Sequence, residues 1–240
     1  MKYRILFLLL FIFAAGVRFA ALEMRPMHTD EAVHGIKFGQ LLEEGVYRYD
    51  KTDYHGPTLN FFTLIPAIIR GQFSVVAVDE FTLRSVAAFL GLAILLLLLF
   101  LSPPLDWPDI IQLVLFMALA PMLVYYSRYY IMEILLVFFN LGFIISVFKY
   151  VLNRRISWII FAGAFAGLMM ATKETWVLFA GVQVIAFFIV LLERNGFSKT
   201  VREIAAFGKS FHFLFFLFYL AAGNNRIDPG FYRLFGSCRH

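Results

Sequence analysis

Seven long apolar runs constrain this chain more than any other feature. They occupy residues 5–22, 86–101, 110–126, 131–151, 156–171, 175–192 and 204–222. Each comes near the ~20 residues that a helix needs to cross a ~30 Å hydrocarbon layer. Lipid offers no water to satisfy backbone N–H and C=O groups, so each run must close its hydrogen bonds within itself, as a helix. The expected fold class is therefore all-α. It is a polytopic integral membrane helical bundle of about seven transmembrane helices, with one long outer loop, 23–84, after the first. Composition agrees, with 61% of residues apolar and 15% charged, against roughly half and a quarter in soluble domains.

The formal net charge is +5, yet the chain does not read as a nucleic-acid binder. Its Lys and Arg residues stand at the ends of the runs, where they orient helices, and not along one amphipathic face. Lys2 and Arg4 place the N-terminus in the cytoplasm. Lys149, Arg154 and Arg155 follow the fourth run, and Arg194, Lys199 and Arg202 follow the sixth, so both loops are expected to be cytoplasmic. The first run reads as an uncleaved signal-anchor, because it is long for the apolar core of a cleaved signal peptide. The expected location is the cell (inner) membrane, with the lipid bilayer as the first partner. The single cysteine, Cys238, excludes a disulfide framework and a cysteine zinc site.

Loop 23–84 is the one long hydrophilic region. Thr29 is placed to cap a helix whose first turn holds Asp30 and Glu31, where the helix dipole favours anions. Ala32, Val33, Ile36, Gln40 and Leu41 form its expected weak apolar face, and Gly45 its end. A shorter apolar stretch, 58–69, follows His55, Gly56 and Pro57. It is too short to span comfortably, which points to an interfacial or re-entrant helix.

Four polar groups could carry chemistry. Asp30 and His34 are four apart, so a helix sets them on one face. With Glu31 they suit a general base with an orienting partner, or a divalent cation site; the plain alternative is a solvated helix start. Tyr49, Asp50 and His55 belong to a second cluster, read either as a polar turn or as aromatic and polar groups that hold a sugar. Arg128 and Glu133 lie at the outer end between the third and fourth runs. Arg128 fits a headgroup anchor, whereas Glu133 is costly in a helix unless a cavity or partner receives it. The partner expected for Glu133 is Arg128, or a metal shared with Asp30. Lys173 and Glu174 end the fifth run. They read as a polar turn, or as a lysine that binds a lipid phosphate as a point charge. All four groups fall on the same expected side of the membrane.

Taken in order, these segments resemble a known pattern. Residues 25–34 follow the first run, then 47–50 and 55–57, then Phe81 to Arg84 entering the second run. Ser127 to Tyr130 with Glu133 come next, then Ala171 to Glu174. The set is similar to the N-terminal part of a GT-C-fold glycosyltransferase of the dolichyl-phosphate-mannose–protein mannosyltransferase superfamily. The branch it most resembles is the one labelled "flippase activity-associated". The resemblance covers most of residues 1 to about 180.

It implies inverting transfer of a sugar, on the outer face, from a polyprenyl-phosphate donor to a glycan, lipid or protein acceptor. Asp30 matches the family's base, with Glu31 beside it. Glu133 falls where the family often has a second acidic residue that organises the site or a divalent metal (Mg or Mn). Arg128 and Lys173 match the donor phosphate, with His34, Tyr49, Asp50, His55 and Glu174 as further substrate contacts. No Gly-rich phosphate loop or nucleotide fold is present, so no organic cofactor is expected.

The expected organisation is a transferase-like domain over 1–222 and an atypical tail over 223–240. Family members are about twice as long, and past residue 208 the pattern stops. The tail carries Arg226, Arg233 and Arg239 where seven spans would put it outside. A truncation or frameshift accounts for both, and would leave the short chain without the part that completes the donor groove. The alternative to an enzyme is a transporter, lipid flippase or assembly partner. Transport calls for ionisable residues in mid-membrane on broken helices, and the charges here collect at helix ends instead.

Overall fold

The computed structural model describes residues 1–49, 55–102 and 105–186, with 189 and 192 beyond them. The chain divides into a unit from Met1 to Gln183, which carries the architecture below, and Val184–His240. The expected seventh run, the loop at 194–202, the tail at 223–240 and Asp50 lie outside the described residues.

Among the described residues of the first unit, eight α-helices precede Trp176. They are α1 (Lys2–Phe19), α2 (Thr29–Glu44), α3 (Thr58–Ile69), α4 (Glu80–Leu97), α5 (Trp107–Leu119), α6 (Pro121–Tyr126), α7 (Glu133–Asn153) and α8 (Ile156–Met170). A 3-10 segment, Leu98–Leu101, continues α4, and a further apolar helix, Trp176–Ala186, follows α8. There is no strand among the described residues, only an isolated antiparallel bridge between His55 and Lys173.

Two stretches, Glu80–Leu101 and Glu133–Asn153, are long and apolar enough to cross a membrane. They correspond to the second and fourth expected spans. Helix α1 is 18 residues long and carries Lys2, Arg4 and Arg18. The third expected span is not one helix: it breaks at Ala120 into α5 and α6. Pro121 opens α6, and Ala120 before it is extended, with ψ 117°. A proline has no N–H to donate and crowds the residue before it out of the helical region.

The long loop after α1 is largely helical, and it ends earlier than expected. Asp79 caps α4 by accepting from Thr82 N at 2.8 Å. Arg70 then ties the end of α3 to this cap, donating to Asp79 Oδ1 at 2.7 Å and to Thr82 Oγ1 at 2.8 Å. Arg84 thus lies inside α4, more than one turn from its start.

Helix α2 also departs from its expected start and face. Its N-cap is His28, not Thr29: the ring accepts from Asp30 N while Glu31 Oε2 accepts from His28 N. The buried face is Glu31, His34, Phe38, Gly39 and Leu41, and Val33 and Ile36 are exposed. Gly45 ends α2 as expected, with φ 69° in the left-handed region that glycine enters freely.

The core runs between α4 and α7. Leu83, Val86, Leu90 and Ile94 of α4 meet Ile134, Leu135 and Phe139 of α7, with Phe38, Leu59 and Tyr130 closing one end. Many large apolar side chains point outward instead, among them Ile5, Leu9 and Ile12 on α1, Phe116 on α5 and Ile160 on α8. A soluble monomer rarely leaves so much apolar surface bare, whereas lipid accepts it.

Candidate functional site

The start of α2 is fixed by a buried ion cluster. Glu31 is fully buried and accepts a bidentate pair from one edge of the Arg84 guanidinium, Nε to Oε1 at 2.8 Å and Nη2 to Oε2 at 2.9 Å. Arg25 Nη2 adds a bond to Oε2 at 2.9 Å, Tyr130 N one to Oε1 at 2.9 Å, and His28 N one to Oε2 at 3.1 Å. Arg84 also donates to the carbonyls of Leu22, Arg25 and Pro26. Burial works to raise the Glu31 pKa. The Arg84 hydrogen bond, the two backbone donors and the Arg84 charge outweigh it, and the carboxyl sits below its ordinary range. Both Glu31 oxygens are therefore committed inside the protein.

Asp30, one residue earlier, is presented to solvent. Its side chain is 64% exposed, and its recorded contact is His28 Nδ1 at 3.5 Å. Tyr129 stands close by, tilted against the His28 ring at 5.6 Å and beneath the Arg25 guanidinium at 4.7 Å. Burial, then the Asp30 and Glu31 charges, push the Tyr129 hydroxyl up to about 12. In the sequence Tyr129 stands only as one member of the segment Ser127 to Tyr130, with no role of its own.

A strap brings the far end of the loop to α8. Gly56 N donates to Thr172 O at 3.1 Å, and Thr58 Oγ1 donates to Ala171 O at 2.6 Å. A Cβ on Gly56 would stand 2.0 Å from Ala171 O, so only glycine lets the two backbones meet. Tyr47 holds the strap from outside by donating to His55 O at 3.1 Å.

The strap sets His55 beside Glu174, with Nδ1 to Oε2 at 3.5 Å. Lys173 Nζ meets Glu133 Oε1, at the first turn of α7, at 2.6 Å. His34 lies on the other side, its ring 5.3 Å from that of His55. Burial, then the charges of His55 and Lys37, push the His34 pKa down to about 4, while Glu133 and Asp30 pull it the other way. The structure thus gathers His34, His55, Glu133, Lys173 and Glu174, with Asp30 within electrostatic reach of His34.

Two site residues fall elsewhere. Arg128 does not meet Glu133. Its guanidinium caps the end of α1, donating to Val17 O at 2.5 Å, Arg18 O at 3.3 Å and Ala21 O at 3.5 Å. Tyr49 is exposed. A divalent ion shared by Asp30 and Glu133 fits these residues poorly. Glu133 already neutralises an ammonium, and no group of three or more His, Cys, Asp or Glu among the described residues is arranged around a common centre.

The described residues form an all-helical bundle with a long, largely helical segment between α1 and α4, and comparison with solved structures supports a GT-C-like membrane fold. The chain is similar to the S. cerevisiae protein O-mannosyltransferase Pmt1-Pmt2 complex bound to the sugar donor, with a TM-score of 0.64 and 20% identity. The match covers 92% of this chain and 34% of that one, so this chain spans about a third of the length of its structural neighbour. At that identity the likeness concerns the fold. No family model matches the sequence, and neither does any curated protein.

Proposed function

We propose that the chain is the N-terminal part of a membrane glycosyltransferase that moves a sugar from a polyprenyl-phosphate donor to an acceptor hydroxyl, with inversion, on the outer face. The observation that carries this reading is the contrast between two adjacent carboxylates. Glu31 is locked beneath the helix start by five donated hydrogen bonds, and Asp30 is held out on the rigid platform that results. A base that must meet an incoming hydroxyl needs that combination of fixed position and open access.

In this reaction the Asp30 carboxylate takes the acceptor proton as the acceptor oxygen bonds to the anomeric carbon. The bond from that carbon to the phosphate oxygen breaks, and the phosphate leaves with the electron pair. Lys173 offsets the charge that develops on the phosphate, and Glu133 holds the ammonium in place until the donor arrives. Glu31, Arg84 and Arg25 act as positioning residues for the base.

The test is transfer of a radiolabelled hexose from a polyprenyl-phosphate carrier in membranes that contain the full-length protein of which this chain is the N-terminal part. Asp30→Asn keeps the shape and removes the basic oxygen. Transfer is expected to fall at least a hundredfold, in line with the ~10²–10⁴ supplied by general-base catalysis. Membrane insertion should not change. Undiminished transfer by this variant would remove Asp30 from the role.

A further inference from the structure

Helices α1 and α5 run side by side in the same direction. Phe7 and Leu10 of α1 pack on Ile110 and Val114 of α5, and further along Ala14 shares a layer with Ala118. The two N-terminal ends therefore stand together, at the end of α1 far from the cap that Arg128 supplies. A recess of about 320 Å³ lies between them, lined by Met1, Tyr3, Arg4 and Trp107. Arg4 lies over Trp107, its guanidinium carbon 5.9 Å from the ring centre.

The Arg4 guanidinium is left with its donors open. Arg18, Arg25, Arg70, Arg84 and Arg128 all donate to oxygens of the protein. No described residue accepts a hydrogen bond from Arg4. Two carboxylates stand close in the chain, at Asp106 and Asp109, but they form the capping box of α5, where Asp109 Oδ2 accepts from Asp106 N at 3.3 Å. Stacking on Trp107 uses the flat face of the guanidinium. The N–H groups along its edge keep the fork geometry that fits two oxygens of one phosphate.

The surroundings select a phospholipid over a soluble phosphate. Leu8 and Ile12 follow Arg4 at steps of four residues, on the same face of α1, and are 54% and 59% exposed. An apolar stripe that starts beneath a cation fits an acyl chain beneath its headgroup. Tyr3 and Trp107 are the residue types that settle at headgroup level. Charge selects further among phospholipids. Lys149 donates to Ser102 O, which ties the end of α7 to this same end of the molecule. Lys2, Arg4, Lys149, Arg154 and Arg155 gather here against Asp106 and Asp109 alone. That excess favours an anionic headgroup over a zwitterionic one.

We infer that the recess between the starts of α1 and α5 binds the phosphate diester of an anionic phospholipid. Arg4 holds two of its oxygens, Trp107 backs the guanidinium, and one acyl chain lies along Leu8 and Ile12. The site depends on the membrane fold and not on the transferase reading.

The test uses tryptophan as the reporter. The chain has three, at 107, 158 and 176. With Trp158→Phe and Trp176→Phe, only Trp107 fluoresces. This chain is placed in phosphatidylcholine nanodiscs, and phosphatidylglycerol with brominated acyl chains is added at low mole fraction. Brominated phosphatidylcholine serves as the comparison. Trp107 should be quenched with about a tenfold preference for phosphatidylglycerol, as a charge-assisted bidentate pair implies. Soluble glycerol phosphate in excess should not relieve the quenching.

Arg4→Gln should bring the preference close to parity. Arg4→Lys keeps the charge without the fork and should leave about a threefold preference. Arg4 is exposed, so both variants should keep the helical circular dichroism of the parent. Equal quenching by the two lipids would overturn the site. So would an undiminished preference in either variant, or relief by glycerol phosphate. A second reporter, with Trp158 as the lone tryptophan beside Arg154 and Arg155, should show little preference. A preference there as large as at Trp107 would mean general attraction to a basic surface, and would overturn the site too.

Discussion

Burial beside His55 and Lys37 holds the His34 pKa near 4, against an ordinary value of 6.5. Between these two values the unfolded chain binds a proton that the folded chain refuses. Stability from this residue is thus fully present above pH 6.5 and is lost as pH falls towards 4, where it levels off. The shift corresponds to on the order of 3 kcal/mol over that window. His34→Gln should flatten the dependence of the unfolding midpoint on pH between 6.5 and 4, and an unchanged slope would assign the acid sensitivity to other groups. The residue scale is also where the sequence was least legible. Asp30 and Glu31 look alike in the chain, but one step along a helix turns a side chain by about 100°, which sends one outward and the other beneath. Glu31 stands three residues after His28, the spacing of a capping box, and that signal was readable; Thr29 was the more familiar cap type. The buried face of α2 was misjudged for a further reason. Apolar residues mark the inside of a soluble protein, but in a chain with lipid-facing surfaces they mark the outside equally well.

At the scale of the element, Arg18 explains how α5 tolerates its break. Pro121 has no N–H for the carbonyl four residues earlier, so Met117 O loses its partner, and the turn at Ala120 frees Ala118 O as well. Arg18 of α1 donates to both, at 3.1 Å to Met117 O and 3.4 Å to Ala118 O, and is itself 1% exposed. A buried arginine is sustained here by carbonyls that a proline released. Arg18→Met should cost about 1–3 kcal/mol, since the two carbonyls are then left unpaired. In a Pro121→Ala background, where the backbone N–H can return, the same change should cost about 1 kcal/mol less. A double-mutant cycle on thermal unfolding in nanodiscs measures this difference, and strict additivity would uncouple the two residues. Regular helices were readable from hydropathy alone: α7 and α8 begin and end within two residues of runs 131–151 and 156–171. The breaks were not. Hydropathy averages over Pro121 without registering the missing donor, and it places the start of α4 at its apolar part although the Asp79 cap winds the helix six residues earlier.

For the whole first unit, the question is how a loop between α1 and α4 comes to share a site with the end of α8. The apolar runs placed α1, α4, α5, α7 and α8 in order but carried no information about which ends meet. That depends on a few polar and small residues: the Glu31–Arg84 pair, the Lys173–Glu133 pair, and the strap at Gly56. The strap is the most exposed to a single change. A Cβ at Gly56 would come within 2.0 Å of Ala171 O and 2.5 Å of Ala171 C, and both are backbone atoms that cannot rotate away. Gly56→Ala should therefore lift the strap, carry His55 away from His34 and Glu174, and loosen the Thr58 bond to Ala171. The core between α4 and α7 lies outside this contact, so the helical circular dichroism and membrane insertion should match those of the parent chain. Transfer should fall at least tenfold, and crosslinking between cysteines placed at 55 and 173 should drop with it. Such a variant separates assembly of the site from stability of the bundle. Full transfer with the crosslink lost would mean that the strap lies outside the site, and that His34, Lys173 and Glu133 act without His55.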